Sequence, residues 1–276
     1  MPQARSAKST FSLKNILFAT DFSRQSSLAL TYALPITRKY GATIYAAHVV
    51  PEQIGLPISA RGGLHAIWVQ RGNDTQESVA SLRAELYPAR NIIAKGDLIV
   101  TGTHGRSGVG KLLMGSVAEK IFRRASCPVL TVGPGISGEP DSVVDLHQIL
   151  FATDLSAVSV AALPYAISLA EENNARLYIL HVSESPMKAA NENALRERLR
   201  NLVPQGAKLT SQPKVIVEYG PPAERVLAVA EELAMDLIVL GVKRTPVHFE
   251  ASPHLPLATA YKVVSQAICP VLTVRG

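Results

Sequence analysis

Cysteine is scarce, with two residues, Cys127 and Cys269, in a chain of 276. Both stand directly before Pro-Val-Leu-Thr-Val, so they fill one position of a repeat, and a single pair in so long a chain builds no disulfide framework. Free, mostly buried core thiols in a reducing compartment are the expectation. Aromatic residues are also few, at 5%. The net charge is +6, but the basic residues are scattered. No stacking surface and no basic helix is visible, which argues against a nucleic-acid partner. No apolar run reaches the roughly 18 residues that a membrane-spanning helix needs. The opening MPQARSAKSTFSLKN is polar and basic without an apolar centre. No signal peptide is therefore expected, and the cytoplasm is the expected location. Missing too are a Ser-His-Asp ordering, a cysteine nucleophile among cations and any metal-ligand spacing. No dedicated catalytic set emerges.

What is present points to a globular α/β protein. Hydrophobic residues make up 47% and charged residues 18% of the chain, and the length suits two domains of ordinary size. Ile16–Thr20 has the pattern of a buried strand ending at Asp21. Ser23 is placed to cap a helix running to Tyr40, with Leu28, Ala29, Tyr32, Ala33 and Ile36 on its apolar face, and Gly41 stops it. A second strand covers Ala42–Val50, so strand, helix and strand form a βαβ unit and a parallel sheet. The second half restates the first: Ile149–Ser156 repeats Ile16–Ser23 with Leu155 in place of Phe22. Asp236–Val239 likewise repeats Asp97–Val100, and the Cys-Pro-Val-Leu-Thr-Val strand recurs. His48 and His181 recur at one position and are expected to be structural. The protein is two copies of one unit, with a tail at 1–12, a first domain at 13–134, a linker at 135–146 and a second domain at 147–276.

The copies differ in two places. Lys214–Tyr219 is a clear third strand in the second half. In the first half, Pro51–Arg71 has no periodicity, and a helix expected over Thr75–Glu85 runs almost directly into Ile92. Four parallel strands and no edge strand are expected there, unless Ala66–Gln70 supplies the edge. The other difference is a loop. Leu98–Val100 is a short buried strand followed by a glycine-rich segment, Gly102 to Gly115-Ser116, and then a helix with Val117, Ile121 and Phe122 on one face. Such a segment can cradle phosphate, because free N–H groups, the helix dipole and the close approach allowed by glycine all favour an anion. After Gly241 the second half has no counterpart of Gly105 or Gly115-Ser116, and Pro246, Pro253 and Pro256 remove donors. Its role is expected to be structural. Gly105–Lys111 meets the first seven positions of a P-loop, but Leu112 stands where a Ser or Thr must follow. The glycines could also simply build a tight turn.

Gly102-x-x-Gly105, nine residues, then Gly115-Ser116 resembles the nucleotide-binding signature of the universal stress protein family. The likeness extends through GTHGRSG, GSVAEK and CPVLTV and, by way of the repeat, over nearly the whole chain. The resemblance implies a tandem form of two doubly wound parallel-sheet domains, strand order 3-2-1-4-5, of the adenine nucleotide alpha hydrolase-like kind. It implies ATP, ADP or AMP as ligand and a regulatory or stress-response role. Asp21 and the backbone around Val49 would meet the adenosine, Gly102 and Gly105 the ribose and phosphates, and Gly115 and Ser116 the phosphates. Ala19, Thr20, Thr103, His104, Arg106 and Val117 complete the expected lining. Mg²⁺ bridging Asp21 to phosphate would permit slow hydrolysis at most. Arg106 and Lys111 either neutralise phosphate or are solvated loop charges. Asp21 could instead serve the start of the first helix. Two other readings stay open. One is a dimerisation or scaffold protein of the same fold that binds no nucleotide. The other is an adenylating ligase or pyrophosphatase of a related fold, against which stands Asp21-Phe22-Ser23 in place of a glycine/serine loop. The apolar last strands, Val129–Val132 and Val271–Val274, are expected to pair with each other, within one chain or across a homodimer.

Overall fold

The computed structural model describes residues 13–50, 63–71, 84–85, 97–103, 114–136, 144–243 and 257–276. β1 (Asn15–Ala19) leads into α1 (Arg24–Tyr40) and β2 (Thr43–Val50). The Ser23 side chain caps α1 by accepting from the Ser26 N–H at 3.2 Å, and Gly41 closes it in the left-handed region at φ 60°. That ending favours glycine because a Cβ is penalised there. β3 (Gly63–Arg71), β4 (Ala84–Glu85), β5 (Leu98–Gly102), α2 (Ser116–Arg124) and β6 (Val129–Val132) complete the first half. The second half comprises β7 (Gln148–Ala152), α3 (Ala157–Val160), α4 (Leu163–Asn173), β8 (Arg176–Ser183), α5 (Ala189–Arg200), β9 (Lys214–Tyr219), α6 (Pro222–Glu232), β10 (Leu237–Val242), α7 (Leu257–Gln266) and β11 (Val271–Arg275).

Among the described residues the strands form one eleven-stranded sheet, β4-β3-β2-β1-β5-β6-β11-β10-β7-β8-β9. The second half follows the expected 3-2-1-4-5 order, all parallel. In the first half β2, β1, β5 and β6 are parallel, as expected. Its outer edge corrects the leading expectation. β2 is not left bare, because β3 pairs with it antiparallel, from Thr43 opposite Arg71 to Val50 opposite Gly63. The weaker alternative, an edge from Ala66–Gln70, is the one realised, and Gly63–Arg71 is a strand rather than a loop. The physical reason is economy of connection. An antiparallel neighbour needs only a reversal of the chain, whereas a parallel one needs a crossover over the sheet face. Ala84 and Glu85, expected to end a helix, are instead strand, opposite Trp68 and Ile67. The remainder of that helix, the tail at 1–12 and most of the linker lie outside the described residues.

Asp97 and Asp236, equivalent in the repeat, explain how each half starts its first strand. Asp97 Oδ2 accepts from the N–H groups of Lys14 and Asn15 at 2.7 and 2.9 Å. Asp236 Oδ2 accepts from His147 and Gln148, both at 2.8 Å. One carboxylate thus satisfies two backbone donors at the start of the first strand of each half. The two halves meet where β6 and β11 run antiparallel, with Thr131, Leu130 and Val129 opposite Val271, Leu272 and Thr273. The pairing expected of the last strands therefore lies within the chain. Across this seam α1 and α4 contribute to a single buried cluster that includes Leu28, Ala33, Leu163 and Ala170. A cavity of about 240 Å³ sits there, walled by equivalent leucines from each half, including Leu13 with Leu146 and Leu98 with Leu237. A second cluster joins α2, through Ala118 and Phe122, to α6 and α7 of the second half. Val117, expected on the core face of α2, is instead 50% exposed, and Ala118 takes that place.

Neither cysteine is in a disulfide. Burial pushes the Cys127 thiol up to about 11 and the Cys269 thiol up to about 12. Both therefore stay protonated and unreactive near neutrality. Iodoacetamide at pH 8 is expected to spare both thiols in the folded protein and to label both in denaturant. Labelling of native Cys269 at the unfolded rate would contradict this packing.

Candidate functional site

Of the expected residues, Ala19, Thr20 and Asp21 stand at the carboxyl end of β1 and Gly102 and Thr103 at that of β5, the neighbouring strand, where open sheets of this kind bind ligands. β1 ends on Ala19, and the Thr20 N–H continues its pairing by donating to Ala47 O at 2.9 Å. The turn that follows is built almost wholly from side-chain oxygens. Thr20 Oγ1 accepts from the Phe22 N–H at 3.0 Å and donates to Ser26 Oγ at 3.1 Å. Asp21 Oδ1 accepts from the Ser23 N–H at 3.0 Å. Together these hold Phe22 at φ 60°, a left-handed conformation that costs a non-glycine residue about 1–2 kcal/mol. The second half builds the same device: Thr153 bonds Ser159 at 2.8 Å, Asp154 accepts from Ser156 at 2.9 Å and Leu155 sits at φ 64°. Asp21 therefore shapes the turn, whatever else it meets. The sequence shows this device as Thr20, Ser23 and Ser26 against Thr153, Ser156 and Ser159, a spacing that only the structure makes meaningful.

Burial pushes the Asp21 carboxyl upward, but hydrogen bonds from Ser23 and Ser26 outweigh it and leave it below its ordinary value. Asp154 is lowered by the same balance, through Ser156 and Ser159.

Gly102 ends β5, and its reason for being glycine is visible. A Cβ there would lie 3.0 Å from the carbonyl carbon and oxygen of Gln25, in the first turn of α1. At the equivalent Gly241 a Cβ would lie 2.3 Å from Val158 O and 2.4 Å from Ser159 Cα. The helix start packs against the strand end in both halves, so this glycine persists where the loop signature has decayed. Thr103 is 1% exposed and turns inward. Its N–H donates to Val132 O at 3.0 Å, and its carbonyl accepts from the Gly115 N–H at 2.6 Å. Two of the main-chain donors expected to cradle an anion are therefore spent inside the protein.

What remains is the start of α2. Gly115 is its N-cap, extended at φ −60° and ψ 150°, and has no side chain with which to cap the helix. The first-turn N–H groups, from Ser116 to Ala118, have no intrahelical acceptor. Val117 stands exposed beside them. Val49 lies in β2 at a register shift between His48 and Val49. His104, Gly105, Arg106 and Lys111 lie outside the described residues, as does the P-loop-like stretch. The second half keeps a crevice of about 220 Å³ at its own strand ends, walled by Thr153, Asp154, Val182, Gly241 and Lys243. The prolines after Gly241 lie outside the described residues. Among those described, no three His, Cys, Asp or Glu side chains gather to hold a metal, and no helix is long and apolar enough to cross a membrane.

The universal stress protein family model matches residues 12–67, 91–133 and 146–275. The chain belongs to the universal stress protein family. Over 140 residues, 43% of this chain and 81% of the relative, it is 34% identical to Universal stress protein MJ0531 of Methanocaldococcus jannaschii. Two solved structures share the fold at full length. A universal stress protein from Archaeoglobus fulgidus matches 96% of this chain and 99% of its own, with a TM-score of 0.63 at 20% identity. The protein PA1789 of Pseudomonas aeruginosa matches 96% and 93%, with a TM-score of 0.58 at 16% identity. The tandem form of the family is thus the form of this chain.

Two outcomes are expected of the turn. Gly241→Ala should cost more stability than Gly102→Ala, with the former in the range of about 1–3 kcal/mol seen for overpacking; equal melting temperatures would refute the close approach. The carboxylate of Asp154 stabilises the fold above its unfolded pKa, because the folded value is the lower one, and that contribution is lost as pH falls through the folded value. Asp154→Asn should therefore flatten the decline of unfolding free energy below about pH 4. An unchanged acid limb would show that the turn does not depend on the charge.

Proposed function

We propose that the first half holds an adenine nucleotide in the crevice between β1 and β5, and that the protein acts through this ligand as a regulatory or stress-response protein rather than as a dedicated enzyme. The observation that carries this reading is the start of α2. It opens on Gly115, without a side-chain acceptor of its own, and is tied to the end of β5 by the Gly115 N–H donating to Thr103 O, next to Gly102. Phosphate oxygens would satisfy first-turn donors to which the N-cap Gly115 offers no side-chain acceptor, with the helix dipole adding to the attraction. Ser116 and Val117 would then meet phosphate with Gly105 and Arg106, while Ala19, Thr20, Asp21 and Val49 would face the nucleoside. Gly102 would serve mainly by letting α1 approach. ATP, ADP and AMP all fit this description. Mg²⁺, where present, would reach the protein through Asp21 beside the phosphates. The domains would run over 13–134 and 147–276, joined by 135–146, with the second half serving a structural role.

The rival reading is a scaffold of the same fold that binds no nucleotide. It draws on the spent donors of Thr103 and Gly115 and on the seam that already joins the two halves.

Calorimetry with ATP and Mg²⁺ separates the two. Gly115→Asp is the informative variant, because its φ and ψ suit any residue and an aspartate N-cap would bind the helix donors itself. Stability should hold or rise by a few tenths of a kcal/mol, while affinity for ATP should fall by at least about tenfold through displacement and repulsion of phosphate. A wild-type protein that gives no heat with ATP, ADP or AMP favours the scaffold.

A further inference from the structure

The second half holds α2 of the first half at both ends. At its start, the Met114 N–H, one residue before the N-cap, donates to the Tyr261 hydroxyl of α7 at 3.4 Å. In its last turn, Phe122 O accepts from the Arg275 guanidinium, which also donates to Lys243 O at 2.6 Å. That cation lies over the Phe122 ring, 6.0 Å from its centroid, where the helix dipole is negative. Between the two ends, the Phe122 and Tyr261 rings meet edge to face at 6.3 Å. Met114, Ala118 and Phe122 are buried in one cluster with Ala260, Val263 and Val264 of α7 and with Ala267 just beyond it.

From these contacts we infer that Tyr261 is a positioning residue for the anion-binding turn of the opposite half. It rests on the reading that the ligand's phosphates sit at the start of α2. Met114 stands directly before the N-cap of α2, and a helix start that must offer several N–H groups to one anion binds best when it is held in place beforehand. The Tyr261 hydroxyl supplies that hold from outside the first half. The second copy, whose own loop has lost the signature, has thereby become part of the other copy's site, and the two halves function as one unit.

Tyr261→Phe in the full chain tests this, because it keeps the ring against Phe122 and removes only the hydroxyl. Two readouts are needed. Amide exchange of Met114, followed by NMR, should accelerate, with the melting temperature little changed. Affinity for ATP with Mg²⁺ should fall by about threefold to tenfold, the span that one net hydrogen bond commands. Faster Met114 exchange with unaltered ATP affinity overturns the inference, as does unaltered exchange. A wild-type protein that binds no adenine nucleotide fails the nucleotide reading separately; unaltered Met114 exchange in the variant would then show that Tyr261 does not hold the turn either. As a further check, Tyr219→Phe should leave both readouts at wild-type values, since its hydroxyl bonds Glu192 on the far edge of the sheet.

Discussion

Three residue pairs hold the two halves in register: Val129 with Thr273, Leu130 with Leu272 and Thr131 with Val271. Each half ends on an apolar strand, and a bare apolar edge invites association with any strand that presents itself. Pairing the two edges removes the hazard and merges two sheets into one. Because β6 and β11 run antiparallel, the halves are related by an approximate twofold turn about the seam. That turn decides which helices become neighbours. α1 and α4 share the buried cluster on one face, and α2 and α7 share the cluster on the other. Contacts between helices of opposite halves, including those of Tyr261 and Arg275 with α2, follow from the short strand pairing beneath them.

Within each half the recurring constraint is the junction between the first strand and its helix. Thr, Asp and two Ser side chains fold the turn onto itself and hold Phe22 or Leu155 in a left-handed conformation. The helix then starts close enough to the fourth strand of its half that no Cβ fits easily at Gly102 or Gly241. A glycine that looks, in sequence, like the first residue of a ligand-binding signature is thus needed for packing before any ligand arrives. This separates the signature into parts. Gly102 survives in both copies because the fold needs it, whereas Gly115, absent from the second copy, has no packing role that the fold requires of both.

Much of this was legible in the sequence. The order of the sheet in the second half followed from the family resemblance. The repeat, the bounds of α1, its cap at Ser23 and stop at Gly41 and the third strand of the second half followed from periodicity and turn residues. These signals are local, and local chemistry decides them. The missed features depend on partners distant in sequence. β3 has no clear pattern of its own and becomes a strand because β2 would otherwise be an open edge. Ala84 and Glu85 sit in a helix-like pattern yet pair with β3. Val117 and Ala118 exchange faces because α2 packs against the other half, whose position no periodicity encodes. The spending of the Thr103 and Gly115 donors was equally hidden, since it depends on where Val132 places its carbonyl.

The start of α2 carries a final consequence. α1 and α3 begin with a serine whose hydroxyl accepts a first-turn N–H, so those helix starts are satisfied by the chain itself. α2 begins with a glycine that cannot do so. Replacing a hydroxyl cap by glycine costs only a few tenths of a kcal/mol, a small sum against the stability of a domain. Glycine also places no side-chain acceptor of its own at the first-turn donors, which is what the proposed anion site requires. The weaker cap is offset here by the second half, which contacts the helix through Tyr261 at one end and Arg275 at the other.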